Sequence, residues 1–487
     1  MTPVVEQVLT YSIADLAKQS AATAFDAIIV GGGTAGIVAA TTLIENGKRV
    51  ALVEAGPIAL LTHATTTDFR FDPDAARVLR GLLEYRPHLA GGGNFGFLIG
   101  CLGGRGLFWN GAAPRFLEHD FSGWPFGLAE LAPWYAWAEG EFRVSRDYGA
   151  ALTDFVCRQL RLNGMQAVPG PFAIDTRRTG DGWIGGTIAN AMSILLRSGQ
   201  MGRAERPRIA TRCLAQTILF GAIPDRVRGV TVLDRETGNQ HEVFGASVVL
   251  ACGAFESVQL ALASKAPDAS GRIGRGVMEH YFGRAYRKLP RGFFGLDKPE
   301  AAIAFIPAAI DRPYQIEIHV PGRTLFQLPD PPKWDPGPTD EYAAMIRGFA
   351  PVGVTGNNWI EAGPPGAPGA FTVHLSYTPE ETATRDRMSD AIDRAGTALG
   401  GEPAPVQILA PGASFHEAGG LAMGVDAKRS VTDPFGRFHG CPSLVVMDAS
   451  CWPAIGAANP HLTIAAMSRR NATQLARDLA YASGDGR

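Results

Sequence analysis

A short apolar run that ends in a glycine-rich turn constrains this chain more than any other feature of its sequence. Residues Ala27–Val30 are continuously apolar, as in a buried parallel strand, and they lead directly into Gly31-x-Gly33-x-x-Gly36. An alanine-rich helical stretch follows, and a second apolar strand ends at Glu54. This order predicts a strand–turn–helix–strand unit that binds a dinucleotide.

Each part of this motif has a physical role in binding a dinucleotide. The first glycine permits the tight turn, the second lets backbone amides approach a pyrophosphate, and the third allows the helix to pack closely on the strand. The start of the helix, at Thr34 and Ala35, offers unpaired amides and a partial positive charge to the phosphates. Glu54 would accept hydrogen bonds from ribose hydroxyl groups, which favours FAD or NAD over NADP.

The same glycine pattern occurs a second time, at Gly91-x-Gly93-x-x-Gly96. No apolar strand precedes this copy, and no helix followed by an acidic residue comes after it. Because the pattern binds a dinucleotide only in its strand–turn–helix context, we interpret the second copy as an ordinary glycine-rich loop.

Composition and charge exclude several classes of protein. The 45 basic and 47 acidic residues leave a net charge of −2, so no basic field exists to hold nucleic acid or an anionic membrane. The sequence contains no apolar run of about 18 residues, and residues 1–25 do not resemble a signal peptide. The six cysteines form no C-x-x-C pair, so no metal site is expected. We therefore expect a cytoplasmic protein without nucleic-acid or membrane partners.

The remaining sequence predicts a mixed α/β protein. Residues 285–380 alternate β-branched and polar side chains, which predicts an antiparallel sheet, with proline-rich loops at 329–338 and 364–368. Hydrophobic periodicity predicts further elements along the chain. Helices are predicted within 1–24, at 128–165, at 380–399 and from 461, strands at 207–252 and 444–447, and irregular structure at 64–125.

Four separated blocks of sequence, taken in order, resemble the glucose–methanol–choline (GMC) family of FAD-dependent oxidoreductases. They extend over almost the whole chain, and their order makes the resemblance specific. The C-terminal pattern Asn459-Pro460-x-x-Thr463 is most similar to the pyranose oxidase and cholesterol oxidase branch. The blocks are Asp26–Gly56, Gly103–Gly111, Gly253–Leu260, and a C-terminal block made of His416–Gly424, Asp448–Ser450 and Asn459–Thr463.

The resemblance implies a two-part architecture. A Rossmann-like FAD-binding domain would be interleaved with a substrate-binding domain built on an antiparallel β-sheet flanked by helices. The FAD-binding domain would comprise residues 1–125, 205–285 and 415–487. The substrate-binding domain would comprise residues 126–204 and 286–414.

The resemblance also implies how FAD is held. Paired glycines leave bare backbone that can pass close to the isoalloxazine ring, and Asn110 and Gly111 would lie near flavin N5. Several relatives attach FAD covalently through a histidine at the position of Phe108, so we expect non-covalent FAD here. The implied FAD-binding residues are Gly31, Gly33, Thr34, Ala35, Gly36, Glu54, Gly103, Gly104, Arg105, Asn110, Gly111, Ala215, Asp448, Ala449, Pro460 and His461.

His416 occupies the position of the family's catalytic base. Alcohol oxidation requires a base to remove the hydroxyl proton while hydride leaves the carbon, and imidazole titrates near neutral pH. The second catalytic residue is predicted to be Asn459, with His461 as the alternative. His461 could instead present its backbone N–H to the flavin C2 carbonyl at a helix N-terminus.

The other histidines have mostly structural interpretations. His280 resembles a structural position of the family, and His439 lies in a glycine-rich turn. His319 and His374 lie in strand-like segments of the predicted substrate-binding sheet, where a role in the pocket is open.

The expected reaction is oxidation of an alcohol carbon to a carbonyl, with hydride transfer to flavin N5 and His416 as the base. A sugar, a glycoside or a sterol-like polyol are the candidate substrates, and O₂ or a quinone-like carrier are the candidate electron acceptors. Two alternatives remain open from the sequence. The first is a non-redox lyase of the cyanohydrin lyase or decarboxylase type. The second is a binding module on a degenerate flavoprotein scaffold, which the intact glycines, His416 and Asn459 argue against.

Overall fold

The glycine-rich turn directly follows a central strand of an eight-stranded sheet whose central strands are parallel. In this computed structural model the apolar run becomes the strand Phe25–Val30, which pairs in parallel with Val50–Val53 and with Gln240–Leu250. The residues that the structure describes are 9–67, 73–146, 151–178, 184–198, 206–223, 225–290, 302–320, 341–353, 357–364 and 368–483.

Five parallel strands form the core of this sheet, and an antiparallel extension completes it. Ile28 lies opposite Ala51 on one side and Val248 on the other, so the central strand is covered on both edges. The order across the sheet is Arg208–Ala210, Val50–Val53, Phe25–Val30, Gln240–Leu250, Val227–Asp234 and Cys213–Phe220. Two more strands lie off this path: Cys441–Val446 pairs with Gln240–Leu250, and Arg437–Phe438 pairs with Cys441–Val446.

Two helices pack closely beside the glycine-rich turn. The helix Thr34–Glu45 is almost entirely buried, and the final helix His461–Ser483 packs against it. A Cβ at Gly36 would lie 1.8 Å from the carbonyl oxygen of Gly31, so only glycine permits this approach of helix to strand. Ser468 donates a hydrogen bond to the carbonyl of Ala35 at 2.7 Å, which connects the C-terminal helix to the start of the helix Thr34–Glu45.

A second sheet of six strands is antiparallel throughout. Its order is Gln407–Ile408, Glu279–Pro290, Glu341–Val352, Gln315–Val320, Ala302–Ile306 and Val168–Pro169. The helices Ala151–Leu162 and Pro379–Ala398 share an apolar core with these strands. The predicted antiparallel sheet flanked by helices is therefore confirmed, as is the mixed α/β class.

The remaining described elements are short. Among them, Ser12 caps the helix Ile13–Ala22, since its hydroxyl oxygen accepts a hydrogen bond from the amide of Asp15. The other helices are Pro73–Leu83, Leu128–Glu141, Ala191–Ser198 and Ala254–Ala263, with 3₁₀ turns at Ala64–Thr66, Gly104–Leu107, Glu118–Phe121 and Ala449–Cys451. Smaller sheets comprise Glu84–Tyr85 with Leu98–Ile99, Trp359–Ala362 with Phe371–His374 and His88–Leu89, and Val144–Ser145 with Phe172–Arg178 and Ile184–Ile188.

The helix Pro73–Leu83 contradicts the prediction of irregular structure over 64–125. Its alanine, arginine and leucine residues are good helix formers, Pro73 is compatible with the first helical position, and Asp74 suits the first turn. The glycine-rich composition of residues 64–125 predicts irregular structure, although the local sequence of Pro73–Leu83 favours a helix. The predicted proline-rich loop 329–338, and residues 365–367 of the second one, lie outside the described residues.

The division into two domains stays a prediction, and the structure gives a reason to move one boundary. The predicted boundary at 285 falls inside the strand Glu279–Pro290, which pairs along its length with Glu341–Val352. The helix Leu128–Glu141, assigned by sequence to the substrate-binding part, packs against the final helix. Within the described ranges, no helix has the length and apolar character needed to cross a bilayer.

Candidate active site

A cavity of about 300 Å³ opens at the carboxyl ends of the parallel strands, next to the glycine-rich turn. Such ends are where open α/β sheets bind their ligands. Three predicted residues, Gly36, Gly103 and Gly111, do not line the cavity. The predicted residues that line it are Gly31, Gly33, Thr34, Ala35, Glu54, Gly104, Arg105, Asn110, Ala215, His416, Asp448, Ala449, Asn459, Pro460 and His461.

The glycine-rich turn presents bare backbone to this cavity. Gly31 has a φ of 98°, and its amide donates to the carbonyl of Val53 at 2.8 Å. A Cβ at Gly33, in contrast, would meet no protein atom within 4 Å, so the backbone there faces open space. Gly33 also precedes the helix that begins at Thr34, whose first amides have no partner within the helix. This open backbone beside a helix N-terminus fits the pyrophosphate of FAD.

Glu54 is held in place by backbone amides on both sides. One carboxylate oxygen accepts from the amide of Gly32 at 2.7 Å and the other from the amide of Gly56 at 2.8 Å. Burial raises the pKa of Glu54, and these amide hydrogen bonds oppose that shift. Because each carboxylate oxygen can accept more than one hydrogen bond, Glu54 keeps the capacity to bind a ribose hydroxyl group.

The loop Gly103–Gly111 is held at both ends by backbone hydrogen bonds. At one end, Gly103 donates its amide to the carbonyl of Gly32 at 2.8 Å, with a φ of 95°. At the other end, the carbonyl of Gly111 accepts from the amide of Ala173 at 2.8 Å. Gly103 and Gly111 therefore anchor the loop at its ends, and Gly104, Arg105 and Asn110 between them line the cavity.

An ion pair lies beside the cavity between two of the four sequence blocks. Arg105 donates two hydrogen bonds to the carboxylate of Glu417, one of them at 2.9 Å. Burial lowers the pKa of Arg105, but Glu417 more than reverses this, so the net shift is upward and the guanidinium remains charged. Sequence reasoning selected Arg105 and missed Glu417, although its position directly after His416 was the available signal.

The carboxylate of Asp448 accepts four hydrogen bonds from protein groups. One oxygen accepts from the amide and hydroxyl of Ser450, at 2.9 and 2.6 Å. The other accepts from the amide of Gly253 at 3.1 Å and from the hydroxyl of Ser257. Asp448 thus joins the third and fourth sequence blocks. All of its hydrogen bonds are made to protein groups, while Asp448 and Ala449 both line the cavity.

His416 lines the cavity and is paired with a second histidine. Its Nδ1 lies 2.9 Å from Nδ1 of His280, and Nε2 of His280 lies 2.6 Å from the carbonyl oxygen of Gly456. The ring of Phe349 packs against both imidazoles, with centroids 4.9 Å from His416 and 6.1 Å from His280. Burial, followed by the neighbouring His280 and Arg105, holds the pKa of His416 well below its usual value.

Asn459 is connected to a buried polar network on the six-stranded sheet. Its Oδ1 accepts a hydrogen bond from Nε2 of Gln315 at 2.9 Å, and the same nitrogen lies 3.1 Å from Oε1 of Glu317. Arg347 donates to the other oxygen of Glu317, and His319 contacts both. Burial raises the pKa of Glu317, but Arg347 and His319 reverse this, and the net shift is downward. Sequence reasoning missed Gln315, Glu317 and Arg347.

The ring of His461 faces the glycine-rich turn. It stacks on Trp109 with centroids 3.8 Å apart, and its Nε2 lies 3.3 Å from the hydroxyl oxygen of Thr34. Burial lowers the pKa of His461 to about 3, so the ring is neutral. His461 and Asn459 both line the cavity, but their side chains have different partners: the amide of Asn459 contacts Gln315, and the ring of His461 contacts Trp109.

Two further histidines that the sequence singled out lie away from the cavity lining. His374 stacks on Trp359 and contacts Glu361, in a small separate sheet. His439 contacts the hydroxyl of Ser430. The second glycine pattern, which contains Gly96, forms a loop whose backbone packs against residues 411–412.

Comparison with known families gives two matches that coincide with the parts of the site. A family described as "FAD binding domain" matches residues 26–65, which contain the glycine-rich turn and Glu54. A family described as "GMC oxidoreductase" matches residues 363–468, which contain His416, Asn459 and His461.

Three curated proteins are similar to this chain. The paromamine 6′-oxidase of Streptomyces fradiae is 27% identical, over 93% of this chain and 92% of that protein. The 6‴-hydroxyparomomycin C oxidase of Streptomyces lividus is 26% identical, over 94% and 92%. The C-glycoside 3-oxidase of Microbacterium trichothecenolyticum is 28% identical, over 52% of this chain and 51% of that protein.

Two solved structures share the fold. Pyridoxine 4-oxidase from Mesorbium loti superposes with a TM-score of 0.67 at 20% identity, over 92% of this chain and 99% of that one. A formate oxidase from Aspergillus oryzae superposes with a TM-score of 0.67 at 15% identity, over 95% and 99%. Together these matches confirm the family resemblance and the FAD-binding fold, and none of them supports the lyase alternative.

Proposed function

We propose that this chain, a GMC oxidoreductase that uses FAD, oxidises a hydroxyl-bearing carbon of a sugar-like substrate to a carbonyl. One observation carries the proposal: a neutral imidazole, His416, and an amide, Asn459, line the same cavity as the glycine-rich turn. The three similar curated enzymes are named as oxidases of sugar-containing compounds, which supports a sugar-like alcohol as the substrate.

In this proposal His416 acts as the catalytic base. Its lowered pKa keeps the imidazole unprotonated at neutral pH, so its free nitrogen can accept the hydroxyl proton. Asn459 would hold the substrate oxygen by a hydrogen bond from its amide. FAD would supply the hydride acceptor for this reaction at the same carbon. The charged Arg105, held by Glu417, contributes a fixed positive charge beside the reacting atoms.

We assign the second catalytic role to Asn459 and a cofactor-side role to His461. The side chain of Asn459 contacts Gln315 on the six-stranded sheet, whereas the ring of His461 contacts Thr34 and Trp109 beside the glycine-rich turn. In variants, Asn459→Ala should therefore lower the rate of substrate oxidation without loss of FAD, and His461→Ala should weaken FAD retention.

FAD is bound without a covalent link in this proposal. Phe108 stands where several relatives carry the linking histidine, and a phenylalanine ring cannot form that bond. Acid precipitation of the purified protein tests this directly: the yellow flavin should remain in the supernatant. Flavin that stays with the protein pellet would contradict it.

The decisive experiment is anaerobic mixing of the FAD-bound enzyme with a panel of alcohols. Sugars, aminoglycosides, C-glycosides, sterols and aryl alcohols would be compared by the bleaching of the flavin absorbance. We expect a sugar-like compound to bleach the flavin, and His416→Ala to lower that rate by at least about 100-fold while FAD remains bound. If no alcohol bleaches the flavin of the wild-type enzyme, the proposed function is wrong.

Two further properties belong to the proposal. The electron acceptor is O₂ or a quinone-like carrier, and reoxidation of the bleached enzyme by air or by a quinone dye distinguishes them.

The location is the cytoplasm, which is supported by six cysteines that are all unpaired and mostly buried. Fractionation of the source cells tests the location.

A further inference from the structure

The hydrogen bonds of His280 determine which of its nitrogens carries the proton. Its Nε2 lies 2.6 Å from the carbonyl oxygen of Gly456, and a carbonyl oxygen can only accept, so Nε2 carries the hydrogen. His280 is 2% exposed, and burial lowers its pKa to about 4, so the ring is neutral. A neutral imidazole has one hydrogen, so Nδ1 of His280 is left as an acceptor.

This acceptor in turn determines the tautomer of His416. Nδ1 of His416 lies 2.9 Å from Nδ1 of His280 and must donate to it. The lone pair of the neutral His416 ring is therefore on Nε2. Within the described part of the chain, this nitrogen has no hydrogen-bond partner, and His416 lines the cavity. His416 thus presents to the cavity the atom that a base requires.

A second chain of hydrogen bonds determines the orientation of the Asn459 amide. Arg347 donates to the carboxylate of Glu317, and an ionised carboxylate can only accept. The group of Gln315 that faces Glu317 is therefore its NH₂, at 3.1 Å, and this same group lies 2.9 Å from Asn459. Asn459 must receive that hydrogen bond through Oδ1, which leaves its own NH₂ as a donor.

We infer that His280 and Gln315 are positioning residues that give the catalytic pair opposite hydrogen-bonding polarity. His416 presents an acceptor and Asn459 presents a donor, which are the two partners that one substrate hydroxyl group needs. The acceptor takes the hydroxyl hydrogen, and the donor binds the hydroxyl oxygen. The catalytic consequence rests on the proposed function, whereas the tautomers and the amide orientation do not.

The tautomers can be measured without any substrate. Two-bond ¹H–¹⁵N correlation spectra of the FAD-bound enzyme with ¹⁵N-labelled histidine distinguish the two protonation sites of each ring. We expect His416 to be protonated on Nδ1 and His280 on Nε2, with the signals assigned by their loss in His416→Ala and His280→Gln. A spectrum with His416 protonated on Nε2, or His280 protonated on Nδ1, would overturn the inference.

Two substitutions of His280 separate positioning from packing. His280→Gln keeps an oxygen that accepts from Nδ1 of His416 and an NH₂ that donates to Gly456, whereas His280→Leu keeps neither. We expect His280→Leu to slow flavin reduction by about 10- to 100-fold, as loss of a group that orients a reactive histidine does in metal sites. His280→Gln should restore most of the rate. Equal rates in the two variants would overturn the inference. If His280→Leu fails to fold, the spectra of the wild-type enzyme test the inferred tautomers instead.

Substitution of Gln315 tests the other half of the pair. Gln315→Met keeps a side chain of similar length but removes the NH₂ group that donates to Asn459, so the orientation of the Asn459 amide is no longer fixed. We expect kcat to fall by about 10-fold or more with a smaller change in KM, because a hydrogen bond that strengthens during the reaction is lost when the amide turns. The matched control Gln166→Met changes an exposed residue and should leave both constants unchanged. An unchanged kcat in Gln315→Met would overturn this half.

The outcomes separate this inference from the proposed function. If no alcohol reduces the wild-type flavin, the proposed function fails, while the spectra still show whether the two histidines have the inferred tautomers. If the alcohols react but the tautomers are reversed, the proposed function stands and this inference fails.

Discussion

The two sides of the cavity differ in the chemical groups that form them: backbone amides on one side, and polar side chains on the other. On the side of the glycine-rich turn, the contacts are made mainly by backbone amides, and a Cβ at Gly31 or Gly36 would collide with neighbouring backbone atoms. On the side of the six-stranded sheet, the contacts are made by buried polar side chains, among them Gln315 and Glu317.

This difference determines which substitutions disrupt each side. A site formed by backbone groups is disrupted when a Cβ is added, because the new atom collides with neighbouring backbone atoms that cannot move away. A site built from buried side chains fails when one partner is removed, because the other is left buried without a hydrogen bond or a counter-charge. Each of these two effects can be tested with one substitution and a matched control.

The glycine-rich turn should show the largest effect, at the position where its glycine packs inward. Gly36→Ala places a Cβ 1.8 Å from the carbonyl oxygen of Gly31, so we expect little folded protein. Gly33→Ala is the matched control, because its Cβ meets no protein atom within 4 Å. That variant should fold and bind FAD more weakly. Thermal unfolding and the flavin absorbance measure both outcomes, and equal stability of the two variants would contradict this account.

Removal of one partner from the buried network should cost stability. Glu317→Leu leaves Arg347 buried without its counter-charge, so we expect the free energy of unfolding to fall by about 3–5 kcal/mol. Asp386→Asn removes an exposed carboxylate from its pair with Arg385 and should cost no more than about 1 kcal/mol. Denaturant unfolding of both variants provides the comparison, and a similar small loss in each would show that the network is not important for stability.

The rate of flavin reduction should be insensitive to moderate acidification. Protonated His416 cannot accept a proton, and its pKa lies well below 6.5 because of burial and the neighbouring His280 and Arg105. The rate is therefore expected to stay constant as the pH is lowered through 6.5 and to fall only at more acidic pH. Anaerobic stopped-flow measurements with a sugar-like substrate check this. A decrease that is centred near pH 6.5 would assign an ordinary pKa to the base.

The pH dependence of stability tests Glu279, next to His280 on the six-stranded sheet. Burial raises the pKa of Glu279 from 4.5 to about 8, so the folded state binds the proton more tightly than the unfolded state. The stability of the wild-type protein should therefore decrease as the pH rises from about 4.5 to about 8, and this contribution should level off above that range. Glu279→Gln cannot ionise, so its Tm should decrease less over the same range. Parallel Tm curves for the two proteins would refute this assignment.

The predicted parts of the site were those that depend on neighbours in sequence. The glycine pattern, the strand before it and the acidic residue after the next strand all lie within one supersecondary unit, and the family match to 26–65 covers the same residues. The helix Pro73–Leu83 was missed for a local reason, since the glycines around it dominated the composition of its segment.

The side chains that contact His416 and Asn459, the proposed catalytic pair, could not be predicted in this way. His280 and His416 are 136 residues apart, and Gln315 and Asn459 are 144 residues apart. No periodicity joins such positions, and the sequence indicated only a structural position for His280. Glu317 and Arg347 form a pair because their strands lie in register, which is a property of the sheet rather than of either segment.

The sequence by itself determined where the backbone must approach a dinucleotide and which residue types could act on an alcohol. Both follow from local chemistry: a missing Cβ permits a close approach, and an imidazole titrates near neutral pH. Only the tertiary structure decided which nitrogen of His416 is free and which end of the Asn459 amide faces the cavity. The physical reason is that a hydrogen bond has a direction, and at a buried site that direction is set by the partner that folding brings to it.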